Sequence, residues 1–309
     1  MIITVSFLGI ILCVLTIFFL NKYKIICFHY PEVLVEDQQG GMLKLLTYNV
    51  AGLPEGISSA ITKRYDSMLI IGERINEFDI VNVQEDFNYN IQLYTNNKHP
   101  YKTVHRGKAI WGDGLNTFSK YPIEEFRRVS WKKCNSSDCL TPKGFSLSRI
   151  RLAQKVVVDV YNVHATAGNS ISASKARRRN LLQLATYIED HSGDRPLIVM
   201  GDFNAHYQYN LDNMFAFVAQ TKVQDSWVST ILHGTYPVVQ EDFHFISDLA
   251  CNNATESIDK ILFRNSAQLE FEALEYNIDQ SGFLDKNRLH LSDHLAVFTS
   301  LKWSLKTAE

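Results

Sequence analysis

The stretch LIVMGDFN, residues 197–204, decides the fold. Its first four residues are apolar and two of them are β-branched, which predicts a strand buried on both faces of a sheet. The Gly-Asp-Phe-Asn that follows is typical of a turn, so Asp202 and Asn204 are delivered to the edge of that sheet. An isolated Asp-x-Asn is more often a simple turn that ends a strand. On a rigid strand among other polar groups, however, such side chains suit a site that fixes a metal or an anion.

The chain has 309 residues, enough for one large domain or two small ones, and layered folds of this size often form a single domain. Its 31 Lys and Arg residues against 33 Asp and Glu residues leave a formal net charge of −2. Without an overall basic field, net charge gives no argument for nucleic-acid binding. Any polyanionic ligand would have to be held by a local cluster of cations.

The first 20 residues carry no charged side chain and are mostly Ile, Leu, Val and Phe, which is long enough for a bilayer-spanning helix. A signal sequence normally has a basic start and a small-residue cleavage site, and neither is evident before Pro31. We therefore predict an N-terminal hydrophobic helix at residues 1–21 that acts as a transmembrane anchor, with a signal sequence as the alternative. Residues 22–42 are predicted to be a juxtamembrane linker, and residues 43–303 the folded domain.

Different sequence features predict opposite sides of the membrane for the folded domain. Two lysines directly after the apolar run favour a cytoplasmic domain by the positive-inside rule. Two glycosylation sequons, at Asn135 and Asn253, and the close pair Cys134 and Cys139 favour the opposite side. We predict a single-pass membrane or secreted protein on the extracytoplasmic or secretory-pathway side. The sequence leaves open whether the two cysteines form a disulfide.

Other predicted strands also end in polar side chains. LKLLTYNV presents Asn49 at its end, and DIVNV is followed closely by Glu85. Two adjacent antiparallel strands come next, and the second, KVVVDVYNV, ends at His164. Near the C terminus, SIDKILF and LSDHLAVFTSL are predicted strands with acidic residues at one end. The strand-end groups are Asn49, Glu85, His164, Asp202, Asn204, Asp259, Asp293 and His294.

This set of side chains contains what metal-assisted phosphoester hydrolysis requires. A hard cation such as Mg²⁺ takes oxygen ligands and is held by one or two carboxylates. A histidine oriented by a carboxylate can accept a proton from water, and amide N–H groups can hold phosphoryl oxygens. No nucleophilic Ser or Cys lies in a recognisable elbow motif, so direct attack by water is favoured over a covalent intermediate.

The predicted helix at residues 172–191 carries basic residues in its first turns, Lys175, Arg177, Arg178 and Arg179. Cations at the start of a helix oppose its dipole. Their position indicates either a patch that faces phosphate groups or, more commonly, a solvated helix face. The sequence leaves both interpretations open.

Six ordered motifs resemble those of the endonuclease/exonuclease/phosphatase superfamily, the group of pancreatic deoxyribonuclease and neutral sphingomyelinase. The motifs are LTYNVAG with Asn49, VNVQED with Glu85, YNVHATAG with His164, VMGDFN with Asp202 and Asn204, SIDKILF with Asp259, and LSDHLAVF with Asp293 and His294. The resemblance covers residues 43–303. It implies an α/β fold, a four-layered α/β sandwich of two packed mixed β-sheets flanked by helices, here preceded by the N-terminal hydrophobic helix.

The resemblance also implies a metal site. Glu85 would be the principal ligand of Mg²⁺, with Mn²⁺ as the alternative ion. Asn49 would help to bind the metal or the scissile phosphate, and Asp293 would support the metal side of the site.

The catalytic roles are implied in the same way. His294, oriented by Asp259, would be the general base toward water. His164 would stabilise or protonate the leaving group. Asp202 and Asn204 would orient the nucleophile and contact the phosphoryl group.

Three details bear on the substrate. Lys143, in the run Lys-Gly-Phe before a strand, resembles a pair common in sphingomyelinases and would contact substrate. VHATAG replaces the commoner Thr-His-Leu, and Asp86 follows Glu85 where an apolar residue is usual. These departures leave the catalytic class intact and weaken the substrate assignment.

We therefore predict a Mg²⁺-dependent hydrolase of phosphoester bonds, a membrane-associated phosphodiesterase of the sphingomyelinase type. The alternatives are a nuclease or a phosphoinositide phosphatase on the same scaffold. The predicted partners are a phospholipid substrate and, through the N-terminal segment, a membrane; nucleic acid is not favoured, and the protein is expected to be a monomer. A catalytically silent binding module is disfavoured because every motif residue is present.

Overall fold

The computed structural model describes residues 26–27, 36–103, 112–139, 141 and 143–306. The hydrophobic helix predicted at residues 1–21 lies outside these residues, as does part of the predicted linker. Within the linker region, residues 26–27 form a short strand, and the first long strand begins at Gly40. The described structure therefore includes sheet residues that precede position 43.

The described strands form two mixed sheets. The first has the spatial order β1 (Ile26–Cys27), β6 (Ile123–Ser130), β7 (Gly144–Ala153), β8 (Val156–His164), β9 (Leu197–Asp202), β11 (Asp259–Arg264) and β10 (Gln224–Asp225). The second has the order β12 (Leu269–Asp279), β13 (Ala296–Leu305), β2 (Gly40–Asn49), β3 (Ile80–Gln84), β5 (Asn116–Ser119) and β4 (Tyr101–Lys102). Only β8 with β9 and β2 with β3 pair in parallel among these strands; the other pairs are antiparallel.

Helices cover the outer faces of the sheets. The α-helices are α1 (Arg64–Arg74), α2 (Asn90–Thr95), α3 (Ile171–Ser192), α4 (Met214–Thr221) and α5 (Ser226–Thr230), and the 3-10 turns are Ile75–Glu77, Ser136–Cys139 and Asp248–Ala250. α1 buries Met68 and Ile71 in the same cluster as residues of β2 and β3, and α3 buries Leu184 with residues of the first sheet. The predicted α/β sandwich of two packed mixed sheets with flanking helices is confirmed.

The strand predicted from LIVMGDFN is β9, and all six of its residues are buried. It is a central strand, parallel to β8 and antiparallel to β11. Gly201 is required there because a Cβ atom would lie 2.1 Å from the carbonyl oxygen of Val163 on β8. Two neighbouring strands therefore fix the position at which β9 ends.

Buried amide side chains join the two sheets. Asn82 on β3 donates to the carbonyl oxygen of Tyr161 on β8 at 2.9 Å. Gln84 on β3 donates to Oδ1 of Asn162 on β8 at 2.8 Å, and Asn162 in turn donates to the carbonyl oxygen of Val83 at 2.9 Å. A buried amide costs free energy unless it is hydrogen-bonded, so these contacts fix how one sheet lies over the other.

Several local predictions differ from the structure. The antiparallel pair β7 and β8 is confirmed. β13 begins at Ala296, so Asp293 and His294 lie in the turn before this strand instead of within it. β12 was not predicted, although residues 269–273 alternate in burial. Cys134 and Cys139 form a disulfide.

The predicted localisation needs correction. Among the residues that the structure describes, no helix combines the length and the apolar character needed to cross a bilayer. The predicted spanning segment, residues 1–21, lies outside those residues. The single-pass membrane localisation is therefore wrong for the described part of the chain.

His99 is a buried histidine whose tautomer is fixed by its neighbours. Its Nε2 donates to the carbonyl oxygen of Phe78, and Nδ2 of Asn97 donates to its Nδ1, both at 2.9 Å. Oδ1 of Asn97 accepts from the His99 backbone, so the amide cannot turn to accept a proton from the ring. Burial lowers the pKa of His99 to about 4, aided by Lys120 and Lys102.

Acid should therefore destabilise the fold through His99. The unfolded chain binds this proton below about pH 6.5 and the folded chain does not, so the contribution is complete above that pH and is lost as the pH falls. Between pH 7 and pH 5 the free energy of unfolding should drop by about 2 kcal/mol through this residue. Urea denaturation of His99→Gln should show a correspondingly shallower pH dependence, whereas His244→Gln, at an exposed position, should keep the original one. Equal slopes in the two variants would contradict this.

Candidate active site

Three neighbouring strands of the first sheet present side chains at one edge. His164 at the end of β8 lies beside Asp202 at the end of β9 in the parallel register. Asp259, the first residue of antiparallel β11, lies beside Asp202 on the other side. The pairing register of these buried strands therefore places an imidazole and two carboxylates next to one another.

The second sheet supplies Asn49 at the end of β2 and Glu85 directly after β3. Glu85 has a left-handed backbone conformation, with φ of 59°. Its carbonyl oxygen accepts from the backbone of Gly52 at 2.9 Å, and a Cβ atom on Gly52 would lie 2.2 Å from that oxygen. A non-glycine residue in this conformation is strained and persists only where the surroundings hold it, as is common at functional sites.

Asn49 connects the two halves of the site. Its Nδ2 lies 3.3 Å from Oε1 of Glu85, 3.2 Å from Oδ2 of Asp202 and 3.5 Å from Nε2 of His294. Its Oδ1 accepts from the backbone of Ala51 at 3.1 Å, which directs the NH₂ group into the site. In this orientation Asn49 offers hydrogen-bond donors, which suit a phosphoryl oxygen better than a metal ion.

His294 and Asp259 form a buried pair. Nδ1 of His294 donates to Oδ2 of Asp259 at 2.7 Å, so Nε2 is the ring nitrogen that faces the site. Burial acts to lower the pKa of His294, but Asp259, together with Asp202 and Asp248, raises it well above its usual range. Because three carboxylates surround this ring, the proton shared by the pair resides on the imidazole.

His164 lies in a different electrostatic environment. Burial, Lys143 and His294 together hold the pKa of His164 well below its usual range, so its imidazole is neutral. Its Nε2 lies 3.4 Å from Oδ2 of Asp202 and 3.8 Å from Oε1 of Glu85. A neutral imidazole can donate a hydrogen bond from this nitrogen without first acquiring a proton.

Two groups of side chains could hold a divalent cation. Asp202, Asp259 and His294 can each offer one ligand atom, and these atoms lie within 4.8 Å of one another. A cation held there by Asp259 would compete with the 2.7 Å hydrogen bond of the His294 pair. Glu85 and Asp293 offer a second set of oxygen ligands, and the charge of Asp293 adds to burial in raising the pKa of Glu85. Mg²⁺ prefers oxygen ligands, so the second group fits it better.

Asn204 and Lys143 complete the predicted residues. The backbone of Asn204 donates to Oδ1 of Asp202 at 2.9 Å, and its Nδ2 donates to the carbonyl oxygen of Ala165 at 3.3 Å. Asp202 and Asn204 thus form a turn, and the carboxylate of Asp202 also contacts Asn49 and His164 in the site. Lys143 pairs with Asp138 at 3.2 Å. Its charge opposes the rise that burial causes in the pKa of Glu85 and adds to burial in lowering the pKa of His164, so it reaches the site.

Asp248 also lies at the site, although no sequence motif predicts it. It lies in a 3-10 turn, with Oδ2 at 3.9 Å from Nε2 of His294. Burial raises the pKa of Asp248 to about 6, while His294 opposes this. No predicted strand ends near this residue, so the pattern that identified the other carboxylates could not find it.

Residues 46–294 match the model of the Endonuclease/Exonuclease/phosphatase family. The chain belongs to this family. The match begins in β2 and ends at His294, so it includes strands of both sheets, without β1 and β13, and every strand-end side chain described above. The resemblance found in the six sequence motifs is confirmed.

Relatives of this family member include sphingomyelinases from Mycobacterium bovis and Mycobacterium tuberculosis. Each is 35% identical over 266 residues, which make up 84% of this chain and 52% of the relative. The chain therefore spans about half the length of the curated relatives it matches. The names of these relatives do not support the predicted membrane-spanning localisation.

Solved structures share the fold. A variant of Staphylococcus aureus beta toxin with bound magnesium ions is 19% identical, with a TM-score of 0.60 over 84% of this chain and 99% of that one. Sphingomyelinase C from Streptomyces griseocarneus is 17% identical, with a TM-score of 0.59 over 84% and 99%. D. rerio TDP2 in complex with a single-strand DNA product is 15% identical, with a TM-score of 0.61 over 84% and 98%. At these identities the likeness concerns the fold alone.

A buried ion pair braces the loops that follow the site strands. Arg177 on α3 is 1% exposed and donates to Oδ1 of Asp212 from Nε at 2.8 Å and from Nη2 at 2.6 Å. It also donates to the carbonyl oxygens of Thr166 at 3.1 Å and Gly168 at 2.8 Å, in the loop after His164. Arg177 therefore lies neither in a phosphate-facing patch nor on a solvated helix face.

Loss of this arginine should destabilise the fold strongly. Arg177→Ala would leave the buried carboxylate of Asp212 without its cation, and removing one partner of a buried pair typically costs about 3–5 kcal/mol. Arg179→Ala, two positions along the same helix but exposed, should change the free energy of unfolding by less than about 0.5 kcal/mol. Urea denaturation of the two variants makes the comparison. Similar small losses in both would show that Arg177 does not brace the loops.

Proposed function

We propose that residues 43–303 form the catalytic domain of a phosphoester hydrolase that uses a divalent cation and direct attack by water, with sphingomyelin as the substrate. The observation that carries the proposal is the His294–Asp259 pair, whose free Nε2 faces Asn49 and the carboxylate side of the site. All the side chains come from one chain, so a monomer suffices. The sphingomyelinase relatives support the choice of substrate.

The cation would be held by Glu85 and Asp293, and we propose Mg²⁺, with Mn²⁺ as the alternative. Oε2 of Glu85 makes no hydrogen bond to any described residue, so it is free to ligate. When bound, the ion would polarise a phosphoryl oxygen and offset the negative charge of the transition state. The oxygen donor set and the partly exposed carboxylates fit this ion.

Proton transfer is assigned to His294. Nε2 of the neutral ring would accept a proton from the attacking water, and Asp259 would hold Nδ1–H and stabilise the imidazolium that forms. The carboxylates that raise the pKa of His294 make its neutral ring a strong proton acceptor. Asp202, which lies 4.0 Å from Nε2, would orient the water.

Hydrogen-bond donors would hold the phosphoryl group and the leaving group. The NH₂ group of Asn49 is directed into the site and would contact a phosphoryl oxygen, with Asn204 as a further contact. His164 is neutral, so we propose that it stabilises the leaving oxygen by hydrogen bonding from Nε2. This differs from protonation by an imidazolium, which its lowered pKa disfavours.

A nuclease is the second candidate, because D. rerio TDP2 with bound DNA shares the fold. Nucleic-acid binding normally needs several Lys or Arg side chains on the phosphates. Apart from histidine, Lys143 is the cation whose charge influences the pKa values of both Glu85 and His164. Lys143 is itself paired with Asp138. A zwitterionic head group with a single phosphodiester charge is a better match for such a site.

The test is release of phosphocholine from sphingomyelin in detergent micelles, measured against Mg²⁺ concentration. The unaltered protein should be active, and His294→Ala should lose about 10²–10⁴-fold in kcat because the general base is gone. Supercoiled plasmid and phosphoinositides, assayed in parallel, should give little nicking and little free phosphate. Plasmid nicking without phosphocholine release would replace the proposed substrate with nucleic acid.

Two variants separate the metal site from the base. Glu85→Gln keeps the side-chain shape but removes a ligand charge, so the half-saturating Mg²⁺ concentration should rise by more than about tenfold. Asp259→Asn should lower kcat by about 10²–10⁴-fold and leave the half-saturating Mg²⁺ concentration unchanged, because the Asp259 carboxylate only orients His294. The opposite pattern would move the cation to the group formed by Asp202, Asp259 and His294.

A further inference from the structure

A cavity of about 600 Å³ lies between β6 and α3, and none of the residues that line it belongs to the site described above. The cations that line it include Arg127, Lys132, Lys133 and Arg179, and Tyr187 and Asp190 also contribute. We call this cavity the basic groove. Its cationic lining stands out in a chain whose formal net charge is −2.

The positive charge of the basic groove is not neutralised by the residues that line it. Arg127 pairs with Glu125. Lys132, Lys133 and Arg179 are exposed, and within the ranges that the structure describes none of them has a carboxylate at ion-pair distance. Like charges that converge on one concave surface raise its positive potential and favour an anionic ligand.

The walls of the basic groove are held in place by side-chain amides. Gln183 on α3 donates to the carbonyl oxygen of Ser130 at 3.1 Å and accepts from the backbone of Lys132 at 2.9 Å. Asn180 on the same helix donates to the carbonyl oxygen of Lys133 at 2.9 Å. The segment that carries both lysines is therefore fixed to the helix that carries Arg179. A ligand would meet a largely pre-formed surface, which reduces the entropy lost on binding.

The floor of the basic groove is aromatic. The ring of Tyr187 stacks on His191 with centroids 3.7 Å apart and packs edge-on against Phe145 with centroids 5.0 Å apart. Leu182 adds an exposed apolar side chain. The groove thus joins a rigid ring surface to several cationic heads, and its volume lies in the range of small-molecule sites.

We propose that the basic groove binds an anion that carries two or more phosphate groups. Arg179 can hold a phosphate through two N–H groups, while Lys132 and Lys133 act as mobile point charges. Three cationic heads carry more positive charge than one phosphate group can neutralise, so a polyphosphorylated ligand is the better match. The same chemistry occurs in soluble phosphates and in the head group of a phosphorylated lipid. This binding site is independent of the proposed hydrolysis.

Titration calorimetry in the absence of divalent cations tests the proposal, with pyrophosphate and inositol hexakisphosphate as soluble probes. The groove variant replaces Lys132, Lys133 and Arg179 with Gln. The control variant replaces three exposed lysines elsewhere, Lys44, Lys175 and Lys286, with Gln and so changes the net charge equally. The groove variant should bind at least about tenfold more weakly than the unaltered protein, whereas the control should stay within about twofold.

A second arm distinguishes the source of the phosphate groups. Flotation with phosphatidylcholine vesicles that contain phosphatidylinositol bisphosphate should show binding that the groove variant loses if the ligand is a lipid head group. Binding of the soluble probes alone would assign the groove to a free phosphorylated ligand. Equal weakening in the groove and control variants, or no binding of any probe, would overturn the proposal. Thermal melting confirms that both variants are folded.

Discussion

The structure depends on the buried amides that join its two sheets. Asn82 and Gln84 on β3 donate across to β8, and Asn162 on β8 donates back to the carbonyl oxygens of Val83 and Asn116. Apolar packing alone would allow one sheet to slide over the other, because burial of apolar area is not directional. Buried amides demand partners at defined distances, so they allow one arrangement. That arrangement brings the ends of β2 and β3 opposite the ends of β8, β9 and β11.

The site is a direct consequence of this alignment. Each sheet contributes part of it: Asn49 and Glu85 come from one sheet, and His164, Asp202 and Asp259 come from the other. The amide of Asn49 then makes contacts across the gap between them. A shift of one residue in either sheet would point these side chains to the opposite face. The chemistry is therefore specified by sheet geometry before any ligand is present.

Neighbouring charges shift the pKa values of the two buried site histidines in opposite directions. His164 has Lys143 and His294 nearby, and its pKa is held well below the usual range. His294 is also buried, but the adjacent carboxylates raise its pKa well above that range. Active sites commonly place two residues of the same type in different environments, so that their pKa values differ and one acts as an acid and the other as a base. The same residue type can thus serve as a neutral donor on one side and as a proton acceptor on the other.

Much of the fold and the central site residues could be predicted because local sequence patterns indicate the strands and the residues at their ends. The apolar run before Asp202 and the alternation that ends at His164 are strand signals, and parallel or adjacent strands gather their end residues at one edge. Asp248 and the brace formed by Arg177 could not be predicted, since each depends on contacts between segments distant in sequence. The orientation of Asn49 was also hidden, because the hydrogen bond to Ala51 that fixes it exists only in the folded loop.

In the proposed mechanism, oxygen ligands on the Glu85 side hold the cation while the His294–Asp259 pair stays free to accept a proton. Crystals grown with Mn²⁺, which can replace Mg²⁺ and scatters anomalously, test this most directly. We predict an anomalous peak about 2.1 Å from a carboxylate oxygen of Glu85 and a preserved hydrogen bond between His294 and Asp259. A peak ligated by Asp259 and His294, with that hydrogen bond broken, would contradict the account.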